Sequence, residues 1–149
     1  MPSATGLKKL IISACLLGEP CRYDGKSKPC INIKPLKEKY ELIPVCPECM
    51  GGLSTPRPPC EIVGNRVCTA DGKDCTAEYI AGAETVYRLA VANGCTAALL
   101  KARSPSCGAG EIYDGSFTKK LIGGNGVTAE LLIKKGIAVF NENQLDGLL

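Results

Sequence analysis

Three short apolar runs in this chain each lead straight into a polar turn that carries a thiol. Leu10-Ile11-Ile12-Ser13 runs into Cys15, and Tyr40-Glu41-Leu42-Ile43-Pro44-Val45 delivers Cys46. Ala97-Ala98-Leu99-Leu100-Lys101 leads to Ser104-Pro105-Ser106-Cys107-Gly108. Short apolar runs bounded by turn residues read as buried strands. Helical patterns lie between them. Lys34 to Lys39 reads as a short helix that accepts Pro35 in its first turn. Thr76 to Asn93 reads as the main helix, with Ile80, Ala83, Val86 or Tyr87, Ala90 and Val91 at helical spacing and Gly94 as its stop. Val127 to Lys135 is a further helix closed by Gly136, Ile137 to Phe140 a fourth strand, and Gln144 to Leu149 a final helical turn or two.

Strands alternating with helices predict an α/β fold: one domain over 1–149, a mainly parallel, Rossmann-like sheet with helices on both faces and right-handed crossovers. A small hairpin, Glu61 to Val67 turning at Gly64-Asn65, is expected as an insertion. Thr55 to Pro59, with three prolines around Arg57, reads as a rigid extended loop. In parallel sheets the loops after the strands share one edge, and ligands bind there. Cys15, Cys46 and Cys107, far apart in sequence, are therefore expected on one rim.

Composition narrows the chemistry. A net charge of +3 is too small to argue for nucleic acid. The apolar run at 10–12 is too short for a signal-peptide core, and nothing approaches a membrane span. The expected location is the cytoplasm, where ten cysteines point to metal binding or catalysis rather than disulfides. The absence of histidine removes the usual general base and the commonest nitrogen ligand. Any metal is then bound mainly by sulfur, and proton transfer falls to Asp, Glu, Ser, Lys or Tyr.

Three thiolates form an incomplete tetrahedral set, whereas a structural zinc wants four ligands, often from two CxxC knuckles. Only Cys46 and Cys49 make such a pair here. A soft all-sulfur site suits an iron–sulfur cluster, and three ligands on four irons leave one iron open. The competing reading is that these are small buried thiols packing at strand ends. Cys30, Cys60, Cys68, Cys75 and Cys95 are assigned mainly to that role, while Cys21 and Cys49 share loops with proposed ligands. Glu48, two residues after Cys46, is a candidate proton-transfer group if an apolar rim raises its pKa. Its ordinary role would be capping backbone amides. Ser104 and Ser106 either orient a substrate or simply form the turn. Gly123 to Gly126 can present amides to an anion, with close packing as the plainer reading. Arg22, Arg57, Lys101 and Arg103 are candidate anion-recognition groups or ordinary solvated cations.

These motifs together resemble a known family. Ser13-Ala14-Cys15-Leu16-Leu17-Gly18 with Cys21-Arg22-Tyr23-Asp24-Gly25 resembles its first signature. Val45-Cys46-Pro47-Glu48, Gly51-Gly52-Leu53 and Pro56-Arg57-Pro58-Pro59 resemble the second. Ser104-Pro105-Ser106-Cys107-Gly108, Ile112-Tyr113-Asp114-Gly115 and Gly126-Val127-Thr128 resemble the third. The chain is similar, over nearly its whole length, to the thiouracil desulfurase family. The resemblance implies a [4Fe-4S] enzyme whose three ligands are Cys15, Cys46 and Cys107. It implies that Glu48 and Ser104 assist removal of sulfur from a small thiolated heterocycle, with water replacing the sulfur and no net redox change. Cys49 and Cys60 depart from the family pattern, and Cys49 beside the ligand loop raises a four-cysteine zinc or iron–sulfur site, non-catalytic or regulatory, as the alternative. A thiol–disulfide pair of Cys46 and Cys49 is a weaker reading, because no helix N-terminus is expected there to lower a thiol pKa.

Overall fold

In the computed structural model, which describes residues 7–27 and 33–149, the chain opens with β1 (Lys8–Ser13) and a 3₁₀ turn (Ala14–Leu17). Then come α1 (Ile33–Lys39), β2 (Tyr40–Val45), α2 (Pro47–Met50) and a hairpin of β3 (Cys60–Val63) and β4 (Arg66–Thr69). The long helix α3 (Thr76–Ala92) precedes β5 (Ala97–Leu100). A second hairpin, β6 (Glu111–Tyr113) and β7 (Leu121–Gly123), leads to α4 (Val127–Lys134), β8 (Ala138–Asn141) and a last 3₁₀ turn (Leu145–Gly147).

The central sheet is parallel and four-stranded, in the order β2-β1-β5-β8. Leu10, Ile11 and Ile12 are all fully buried, yet they serve different layers. Ile11, with Ala98 and Leu100, packs against Val86 and Ala90 of α3 and Ala129 and Leu132 of α4. Leu10 and Ile12, with Leu99, pack against Leu36 of α1 and Leu145 and Leu148 near the C-terminus. Side chains alternate across a strand, so a continuous apolar run requires both faces to be covered, as they are here. Each such side chain contributes about 1.5–3 kcal/mol by leaving water. Pro44 lacks a ladder donor and sits, exposed, in the edge strand β2, where the missing donor costs least.

From β1 the chain steps to β2 on one side through α1, and then back past β1 to β5. Helix α1 covers one face and α3 and α4 the other, as crossovers of a single hand demand when direction reverses. The reversal leaves a crevice beyond the carboxyl ends of β1, β2 and β5. Among the described residues no helix is long and apolar enough to cross a membrane.

The structure corrects four local expectations. Residues 47–50 form one turn of helix rather than a loop, with Cys46 at its N-cap. The segment after residue 110 holds a second hairpin that short, weakly apolar runs do not announce. The strand at 97–101 ends at Leu100. The inward face of α3 is Tyr79, Gly82, Ala83, Val86 and Ala90, whereas Ile80 and Val91 are 45% and 59% exposed. Val86 and Ala90 of that face pack on the sheet and Tyr79 on the β3–β4 hairpin, and near Tyr79 the helix α2 crosses closely. A Cβ on Gly51 would lie 1.9 Å from the Glu78 carbonyl oxygen, and one on Gly82 would lie 1.9 Å from that of Pro47. Only glycine at both positions lets α2 sit flush on α3.

Candidate metal centre and active site

One cavity of about 500 Å³ fills the crevice, and Cys15, Cys46, Cys107, Glu48 and Ser104 all line it. Cys15 comes from the 3₁₀ turn after β1, and Cys46 from the junction of β2 and α2. Cys107 comes from the turn after β5, where the Ser104 Oγ accepts the Ser106 N–H at 3.0 Å and the Cys107 N–H at 3.1 Å. Those bonds leave the Ser104 hydroxyl proton free to be donated. Ser13 ties two of these ends together. Its Oγ accepts the Lys101 N–H at 2.9 Å and donates to Cys107 Sγ at 3.6 Å. Behind the turn, buried Ser106 and Thr128 hydroxyls meet at 2.7 Å. A Cβ on Gly126 would lie 2.5 Å from the Ser106 carbonyl. The glycine run at 123–126 thus serves close packing, and the Gly124 and Gly126 amides are spent on Gly110 and Gly108.

The thiols are packed together. Cys21 lies against both Cys15 and Cys46, and its pKa is pushed up to about 11, first by the Cys15 thiol. Cys46 is raised further, first by its contact with Cys21 and then by burial. One helical turn has too small a dipole to reverse this, which argues against a reactive Cys46–Cys49 redox pair. Burial pushes Cys107 up to about 12. These surroundings favour the protonated thiol at Cys21, Cys46 and Cys107, and a cationic centre among them would displace their protons. Cys49 does not line the cavity; its sulfur lies 3.3 Å from Thr55 Oγ1 and 3.7 Å from Arg57 Nη1. Cys21 does line it.

This donor set fits a cluster better than a single ion. Among the described residues no three Cys, Asp or Glu side chains are grouped so as to hold a single metal ion. A lone zinc needs every ligand about 2.0–2.3 Å from the metal. A four-iron cluster would take each thiolate on a different iron, and Cys15, Cys46 and Cys107, which line one cavity from three segments, are the residues that would hold it.

Glu48 is not in the apolar surroundings expected of it. Arg57 Nε donates to its Oε1 at 3.0 Å and the Tyr79 hydroxyl donates to the same oxygen at 2.9 Å. Both partners of the ion pair are shielded, with side chains 5% and 15% exposed for Arg57 and Glu48. Burial opposes the guanidinium charge, yet Glu48 holds its pKa above the usual arginine range. Oε2 receives no donor among the described residues and remains available to the cavity. Arg57 also donates to the Cys21 carbonyl and, within its own loop, to the Ser54 carbonyl and Thr55 Oγ1, so it ties that loop to α2 and to the Cys21 loop. It is an internal clamp, not the solvated cation of the plainer reading. Arg22, Lys101 and Arg103 line the cavity as well, and Lys101 is paired with Glu142 at 2.8 Å.

Cys60, Cys75 and Cys95 are buried, as packing residues should be, while Cys68 is half-buried. Cys60 also lines the cavity. Cys30 lies outside the described residues. Three contributors escaped the sequence reading: Ser13 as a link between strands, Arg57 as a clamp and Tyr79 as a donor to Glu48. Tyr79 had one legible signal, a hydroxyl on a helix that must find a partner if buried.

Comparison with known proteins agrees with this geometry. A solved structure described as the [4Fe-4S]-dependent thiouracil desulfidase TudS is 48% identical, with 95% of each chain covered and a TM-score of 0.91. The uncharacterized protein YbbK of Bacillus subtilis (strain 168) is 40% identical over 150 residues, covering 94% of this chain and 99% of its own length. Residues 10–144 match the 2-thiouracil desulfurase family, and a match of that extent, carried through β1, β2 and β5 and the loops that bring the thiols together, makes this chain a member of it.

Proposed function

We propose that the protein removes sulfur from a small thiolated heterocycle of the thiouracil type, exchanging it for the oxygen of water and releasing sulfide. The observation that carries this is convergence: five residues from three distant segments line one cavity at the switch point of the sheet. A [4Fe-4S] cluster held by Cys15, Cys46 and Cys107 would supply a Lewis-acidic iron with an open position for the substrate's sulfur. The chain's own residues do the rest. Glu48, anchored through Oε1, offers Oε2 to accept a proton from the attacking water and return it to a leaving or product atom. Ser104 donates its hydroxyl proton to a ring heteroatom and so orients the carbon to be attacked. The substrate carbon exchanges its two bonds to sulfur for two to oxygen, C=S and water giving C=O and hydrogen sulfide, so no electrons are gained or lost. An exposed cluster position requires a reducing compartment, which supports a cytoplasmic location.

A second reading, a closed four-thiolate site without turnover, has one observation in its favour: Cys21 touches Cys15 and Cys46 and lines the same cavity. One experiment separates the two. Iron, acid-labile sulfide and 2-thiouracil turnover are measured after anaerobic reconstitution of wild type and of Cys15→Ala, Cys46→Ala, Cys107→Ala and Cys21→Ala. About four irons per chain, lost in each of the first three variants but kept with activity in Cys21→Ala, is the expected result. Full iron in any of the first three would overturn the ligand set. Cluster loss in Cys21→Ala would favour the closed site.

A further inference from the structure

Among the described residues only three that are not glycine have positive φ: Arg103 at 68°, Phe117 at 59° and Lys119 at 62°. All three line the cavity. Such backbone is unfavourable for a residue with a Cβ, and persists where the surroundings over-determine it, characteristically at ligand sites. The surroundings of Phe117 are explicit. Glu61, a buried carboxylate on β3, accepts the Gly115 N–H at 3.0 Å and the Phe117 N–H at 3.2 Å, both on Oε1. A Cβ on Gly115 would lie 2.6 Å from the Ile62 carbonyl oxygen, so the β6–β7 turn is pressed against β3. Glycine at 117 would hold the same turn with less strain. Nor is the phenyl ring core: the chain's other phenylalanine, Phe140, packs against a buried cluster, and Phe117 belongs to none. A buried charge and a strained backbone therefore serve to hold one half-buried aromatic ring at the cavity wall.

We propose that Phe117 is the wall against which the substrate's planar ring stacks, with Glu61 as the residue that positions it. This rests on the reaction proposed above, since only a flat heterocycle calls for a stacking face.

The test is steady-state kinetics of the reconstituted enzyme on 2-thiouracil, with iron content measured in every variant. Phe117→Ala raises KM roughly ten-fold or more, the range produced by removing one base–aromatic stack, while kcat falls far less. Glu61→Ala reproduces the rise, and Glu61→Gln restores low KM, because a single side-chain oxygen accepts both N–H groups. The chain contains no tryptophan. Phe117→Trp therefore installs a single reporter, whose fluorescence is quenched saturably by uracil, a probe of binding that needs no turnover. Unchanged KM in both Phe117→Ala and Phe117→Leu would overturn the assignment, as would Phe117→Trp emission indifferent to saturating uracil. Wild-type enzyme with a full cluster but inert toward 2-thiouracil would be a separate failure, refuting the reaction class and the stacking role together.

Discussion

Replacing Arg57 by lysine tests whether the floor of the site depends on a planar fork rather than on positive charge. The Arg57 side chain makes five hydrogen bonds, to Glu48, Cys49, Ser54, Thr55 and Cys21. Lysine has one compact ammonium and cannot span those directions. It can keep the pairing with Glu48 and must abandon two or three of the others, at about 1 kcal/mol each. The expected loss is about 2–3 kcal/mol. Arg57→Met goes further, because it leaves the 15%-exposed Glu48 carboxylate with only Tyr79. Breaking a buried pair from one side costs about 3–5 kcal/mol. In a chain of 149 residues a 3 kcal/mol loss lowers Tm by about 6–12 °C. The assay is urea and thermal unfolding of the reduced, metal-free protein under argon. Combining Arg57→Met with Glu48→Gln closes a double-mutant cycle, in which the second change costs much less once the first is present. Because the pair is shielded, the loss persists from about 0.05 to 1 M salt. A penalty below about 1 kcal/mol for lysine, or additive costs in the cycle, would refute the clamp.

Tyr79→Phe removes one of two donors to Glu48 Oε1; kcat falls about ten-fold with KM and iron content nearly unchanged, and no fall in kcat would show that the phenol only fills space. Gly126→Ala places a methyl group 2.5 Å from the Ser106 carbonyl and is expected to cost about 2–4 kcal/mol and lower iron uptake by displacing the Cys107 turn, read by urea unfolding and iron analysis. Glu142→Ala removes the carboxylate paired with Lys101 at 2.8 Å and leaves the Ala102 N–H without its acceptor at 2.7 Å, and costs about 2 kcal/mol at pH 7. Burial works to raise the Glu142 pKa, but the bonds from Lys101 and Ala102 outweigh it and hold it below the usual range. A lowered folded-state pKa confers stability above the unfolded value, here about 4.5, and loses it as pH falls through the folded value. Unfolding at pH 7 and at about pH 3.5 should therefore show the Glu142→Ala deficit shrinking in acid; a constant deficit would refute the assignment.

The parallel sheet and the meeting of three thiols on its rim were legible in the sequence because both follow from short-range rules. Leu10-Ile11-Ile12 is a run apolar on both faces, which only a strand covered by helices on each side can bury. Once such strands are parallel, the residues following them must share an edge, so Cys15, Cys46 and Cys107 meet whatever the details of the packing. The kind of donor to expect was equally local, since a chain rich in cysteine and lacking histidine has mainly sulfur to offer a soft metal. Tertiary structure alone decided how the site is finished. Helical spacing pointed to Ile80 and Val91 as core, but the inward face of α3 carries Tyr79, which packs on the β3–β4 hairpin and reaches Glu48 of α2. Arg57 could be read as a solvated cation until Glu48 and Cys49 of α2 and the Cys21 carbonyl were brought to it, beside Ser54 and Thr55 of its own loop. Phe117 and Glu61, far apart in the chain, acquire a joint role only when the β6–β7 turn lies against β3. Periodicity and turn chemistry record what a residue needs from its immediate neighbours. The partners of a buried charge or hydroxyl are set by how closely backbones approach, and no local pattern encodes that distance.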